Sequence, residues 1–212
     1  MRAVKVALAA GLALLAVAIA LTLLGSPLSV AAANKVPGNE TAIWETHRGA
    51  TFCQAHEALP RGTTAIRVWL DAASGPRVSV VVYSRGRVLT SGSRASIWVG
   101  GAVTIPVKPV PRAVADVKVC ASFRLHDETV IVQGSATSAA VATREGPVAL
   151  YGKMGIEFLR PSTRSWASQA LEVARRMGLG RATPGTWVVL LVLALLASVV
   201  ALASRLLLRE LG

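Results

Sequence analysis

The chain has 212 residues, 53% of them hydrophobic, and 23 Lys and Arg against 11 Asp and Glu give it a formal charge of +12. That length holds one globular domain with appendages. So apolar a composition excludes a disordered chain, and a charged fraction of 16% excludes a coiled coil or a charge-dense tail.

From Val6 to Leu24 no residue is charged and Thr22 carries the one hydroxyl. A helix of that length covers roughly 28 Å, close to the hydrocarbon thickness of a bilayer. Arg2 and Lys5 precede the run, and Ala31-Ala32-Ala33 follows the Gly25-Ser26-Pro27 break. This is the grammar of a secretory signal cleaved before Asn34. The run is also longer than a usual signal core, which fits an uncleaved anchor equally well. On either reading residues 1–33 send the following segment across the membrane.

Residues 34–160 are the expected exported domain, and between about 50 and 160 the apolar pattern has period two. Ile66, Val68 and Leu70 share one face, as do Val78, Val80 and Val82. The clearest stretch places Val117, Val119, Ala121, Phe123 and Leu125 opposite Asp116, Lys118, Cys120, Ser122 and Arg124. Such half-buried strands require a second layer over the apolar face. Further strands are expected at 87–91, 102–107, 129–133, 147–151 and 155–159, with Gly and Pro turns between them. The fold class is all-β, an antiparallel sandwich of jelly-roll type flanked by N- and C-terminal hydrophobic helices.

Cys53 and Cys120 fit neither a zinc ribbon nor a redox C-x-x-C. In an exported segment they are expected to form a structural disulfide, worth ~4 kcal/mol on the chain-entropy model. The alternative is two unpaired thiols. Cys120 lies on the polar face of its strand, so the link should cross the outside or edge of a sheet. Trp69 falls on the outward register and Trp98 precedes Gly100-Gly101. Both are candidate flat platforms for sugar rings, with core filling as the alternative.

Residues 161–183 change to helical spacing, with Ser162 as expected N-cap and Trp166, Ala170, Val173, Ala174 and Met177 on one face. Trp166, Arg175 and Arg176 are expected at a lipid interface, with packing under the sandwich as a spacer as the equal alternative. The segment 184–204 holds the apolar run from Trp187 to Ser204, interrupted only by Ser198 and read as a transmembrane helix with Trp187 and Arg205 at its two ends. Residues 205–212 make a short cytoplasmic tail. Basic residues near the membrane balance on the two sides, so charge does not settle orientation.

Leu59–Val68, Gly75–Val80, Val103–Val107 and Val117–Cys120 together resemble galactose-binding-like jelly rolls and related sandwich modules of exported, membrane-anchored bacterial envelope proteins. The likeness lies in architecture, covers about half the chain and implies no ligand residue.

Catalytic signatures are missing: there is no G-x-S-x-G, P-loop, H-E-x-x-H or G-x-G-x-x-G. His47 and His56 flank Cys53, but metal binding there is a remote reading. The same holds for Glu45 with Glu57, or Asp127 with Glu128, as paired carboxylates. Asn39 stands in an N-glycosylation pattern. No cofactor or metal is expected. The basic excess forms no run interleaved with aromatics, which argues against nucleic acid and for acidic envelope polymers or lipid headgroups. The expected function is non-enzymatic: a membrane-anchored binding or scaffolding module at the cell envelope, its partners lipid and a polysaccharide or neighbouring membrane protein. The alternatives are an accessory subunit docked through the small-residue strip Ala194, Ala197, Ala201 and Ser204, and, more remotely, an envelope hydrolase.

Overall fold

The computed structural model describes residues 2–36, 41–46, 49–124, 129–135, 143–150 and 152–174, with Ala194, Ser198 and Arg205. Two compact units share the chain, and the strands belong to the one running Leu28–Pro161. They are β1 (Leu28–Ala33), β2 (Thr41–Thr46), β3 (Ala50–Leu59), β4 (Ala65–Asp71), β5 (Val78–Ser84), β6 (Arg87–Arg94) and β7 (Gly101–Pro106). After these come β8 (Val114–Phe123), β9 (Val130–Ser135), β10 (Arg144–Glu145), β11 (Val148–Ala149), β12 (Lys153–Met154) and β13 (Ile156–Pro161). One sheet runs β1-β13-β4-β9-β12, with β2 on β9 and β7 on β4. The other runs β11-β10-β3-β8-β5-β6. The ladders are antiparallel, and the two apolar faces make a β-sandwich.

The expected alternation is what the core shows. Val78, Val80 and Val82, with Val117, Val119, Ala121 and Phe123, are buried in one cluster with Ile66, Val68, Leu70, Ile105, Val132 and Phe158. Phe52 and Phe123 stack at 5.3 Å between ring centres. Each β-branched side chain presents a stiff rotamer to the facing layer, so the sheets interlock with little loss of freedom on folding.

One strand lies where a leader was expected. Leu28–Ala33 pairs with β13, from Leu28 opposite Pro161 to Ala33 opposite Glu157, and a register shift between Val30 and Ala32 bends this edge. Asn34 then anchors the strand end. Its Oδ1 accepts from the Ile156 N–H at 3.1 Å and its Nδ2 donates to the Met154 carbonyl at 2.8 Å. The sandwich therefore begins at Leu28, not at Asn34. β2, β3 and the short strands β10 and β12 were not among the expected strands, and the expected 147–151 strand is reduced to Val148–Ala149.

The Cys53–Cys120 disulfide forms. The two residues sit directly opposite one another on β3 and β8, Cα atoms 4.0 Å apart, while Phe52 and Gln54 turn inward. The link thus lies on the outer face, as the register implied. It joins two interior strands, so the edge location is corrected.

In the other unit, α1 (Arg2–Leu24) ends at Gly25, whose N–H donates to the carbonyls of Leu21 and Thr22. Its described apolar side chains, Val6, Ala7 and those from Ala10 to Leu24, are exposed. Among the described residues no helix is long and apolar enough to cross a membrane. α2 (Trp166–Ala174) starts three residues later than the sequence suggests. Ser165 caps it by accepting from the Ser168 N–H, whereas Ser162 accepts from the Arg164 N–H in the preceding turn. Arg175, Arg176 and Trp187 lie outside the described residues, as does the 184–204 run apart from Ala194 and Ser198.

Candidate anion-binding face

The chain enters and leaves the sandwich at one end. Leu28 pairs with Pro161, Leu159 with Ala65, and Ala65 with Pro106. The connections 60–64 and 107–113 cover this end, and backbone bonds lace them together. Gly62 N–H donates to the Val110 carbonyl, Val110 N–H to Thr63, and Val107 N–H to Thr64. Lys108 N–H reaches Ser91 on β6, and the buried Thr90 hydroxyl donates back to the Lys108 carbonyl at 2.7 Å. Pro109 and Pro111 stiffen the stretch further by fixing φ. Close approach of β6 to β7 needs Gly92: a Cβ there would lie 1.8 Å from the Pro106 carbonyl oxygen.

The β5–β6 hairpin closes at the same end. Ser84 pairs with Arg87, leaving Arg85 and Gly86 as a two-residue turn, both at positive φ (48° and 76°). Such turns match strand twist but usually carry Asn or Gly at both positions. Here an arginine occupies the first, with its side chain exposed. Across from it Arg112 rises from the laced connection. A hollow of about 830 Å³ opens between them, lined by Arg85, Arg87, Arg112, Leu89, Val114 and Asp116 among others. None of the three guanidiniums has a hydrogen bond or ion pair among the described residues.

A smaller hollow of about 360 Å³ adjoins it through Arg85 and Asp116, and holds Tyr83, Lys118 and His56. Lys118 Nζ stands 5.5 Å from the Tyr83 ring centre. His56 is there because β3 bulges: the pairing shifts between Gln54 and Glu57, and His56 takes φ 60°. The extra residue reverses the phase of the strand. His56 is turned outward to meet Asp116 at 3.3 Å, and Glu57 is turned inward. Buried Glu57 meets Lys153 at 3.1 Å and Asn34 at 3.4 Å, so its charge is compensated where it is out of water.

The residues singled out from the sequence do not assemble at this site. Trp98 is 2% exposed and donates from Nε1 to the Pro76 carbonyl at 2.6 Å. Its ring covers Gly75, where a Cβ would lie 2.0 Å from it, so it has no face for a ligand. Trp69 is partly exposed on the outer face of β4, opposite Ala102. Trp166 and Arg205 are exposed in the other unit. Cys53, held in the disulfide, offers no thiolate to His47 or His56, and Glu57 is committed to Lys153 instead of facing Glu45 across a cleft. His47, His126, Asp127, Glu128 and Asn39 lie outside the described residues. Among the described residues no group of three His, Cys, Asp or Glu could hold a metal.

Fold and face together define a β-sandwich with a basic end. No family model matches the chain, and no curated protein is similar enough to register. Among solved structures, TmCBM61 in complex with β-1,4-galactotriose is similar over 53% of this chain and 88% of its own, with 14% identity and a TM-score of 0.29. A likeness of that size carries no argument about ligand.

Proposed function

We propose that this protein is a membrane-anchored, non-catalytic binding module of the cell envelope, with its sandwich outside the membrane and an anionic ligand held in the Arg85–Arg87–Arg112 hollow. The observation that carries the reading is the set of three guanidiniums around one cavity, none with a partner among the described residues. A guanidinium presents a fork of donors matched to carboxylate or phosphate, and three of them without acidic partners among the described residues leave those donors to a ligand. The uncharged run Val6–Leu24 behind Arg2 and Lys5 supports an anchor, and β1 supports its retention. Cleavage before Asn34 would remove a strand that is hydrogen-bonded along β13.

Titration of the detergent-solubilised full chain with polyphosphate, polygalacturonate and a neutral galactan tests the ligand class. The two polyanions should bind with an affinity that falls steeply with salt, and the R85Q/R87Q/R112Q variant should bind them at least tenfold more weakly. Equal binding of the neutral galactan would overturn the reading. The intact mass of the membrane-extracted protein should include α1; a mature start at Asn34 would overturn retention.

A further inference from the structure

We infer that the anionic ligand of the basic face is a lipid headgroup layer, on which the tether end of the sandwich rests; this rests on the anchored reading above. The argument comes from which charges share which end. Besides Arg85, Arg87 and Arg112, exposed Arg61 stands in the 60–64 connection, Lys108 in the 107–113 connection, and Arg160 on β13 one residue from the chain exit. None of these six side chains has a hydrogen bond or ion pair among the described residues. The nearby acid lining the hollow, Asp116, is engaged by His56.

These cations gather where the chain leaves for α1 at Leu28 and for α2 at Pro161. Only Gly25, Ser26 and Pro27 separate α1 from β1, a link that reaches at most about 10 Å when extended. With α1 in a bilayer, a link of that reach keeps Leu28 within about a Debye length of the headgroups, where anionic lipid attracts each added Lys or Arg. A soluble polymer would have to displace that surface to reach the hollow.

Full-length protein in vesicles of phosphatidylcholine alone, or with phosphatidylglycerol added, separates the possibilities. Phenylglyoxal modification followed by mass spectrometry reads each arginine in turn. Arg61, Arg85, Arg87, Arg112 and Arg160 should react at least fivefold more slowly in the anionic vesicles at low salt. Arg77 and Arg124, at the opposite end, should be unaffected. Co-flotation with vesicles of both compositions, together with equal reactivity of all arginines in both, would overturn the headgroup contact and leave the anchor intact. Failure to float with either would overturn the anchor itself and the inference with it. Protection by added polygalacturonate, with none from anionic lipid, would reassign the hollow to a polymer and overturn the inference.

Discussion

At the end where the chain enters and leaves, the connections expose Arg61, Lys108 and Arg112, and their backbone is laced from strand to strand. At the opposite end the β6–β7 connection exposes Ile97 and Val99, 85% and 81% accessible, on either side of buried Trp98. There the backbone is held by a side chain: Trp98 fills the space over Gly75, while Gly75 exchanges backbone bonds with Ile97 and Trp98. The far end also carries a smaller basic hollow of about 390 Å³ with Arg77 and Arg124, but Arg77 already donates to Ser93. One architecture thus stiffens its two ends by different means. Backbone lacing leaves side chains free to carry charge, whereas a tryptophan anchor uses the side chain and exposes its neighbours.

The comparison can be broken in four ways. Replacing Cys53 and Cys120 by Ala removes a link spanning 67 positions that serves both ends, and should cost ~4 kcal/mol in denaturant unfolding. Both the polyanion affinity and the far tip should survive it at low temperature. Trp98→Ala should cost about 3 kcal/mol by leaving a cavity, with the loss concentrated at the far end. Hydrogen exchange should then accelerate at 73–77 and 95–100 while affinity at the hollow stays within twofold. R85Q/R87Q/R112Q should do the reverse: a tenfold or greater loss of polyanion binding, about 1.4 kcal/mol, with a small change in melting temperature. The smallest effect is expected for Ile97→Gly. A β-branched residue at φ 70° is strained, so glycine should stabilise the chain by about 1 kcal/mol in thermal unfolding.

The sequence made the middle strands legible for a physical reason. β4, β5 and β8 each bury one face, and burial of one face imposes period two on the residues themselves. The cysteine pair was legible because its surroundings read as exported. β1 was not, since Leu28–Ala33 consists of the small apolar residues that a signal cleavage region also uses. The bulge at His56 left a trace that parity alone reveals: Phe52 and Leu59 are both buried, yet they stand an odd number of positions apart on one strand. Trp98 misled because two glycines follow it, and the residue that buries it, Gly75, is remote in sequence. The hollow was illegible for the same cause. Arg85 and Arg87 come from a hairpin turn and Arg112 from a different connection, and only the lacing between them creates a shared cavity.

The adjacency of β1 and β13 has a mechanical consequence. They are antiparallel neighbours whose free ends, Leu28 and Pro161, face each other at the same terminus of the ladder. Drawing the two chain exits apart sideways would load this ladder one rung at a time, as a zipper is opened, instead of shearing all its rungs together. Lateral separation of Leu28 from Pro161 would therefore peel the outermost strand away under low force, while the interior strands held by the disulfide bore none of the load.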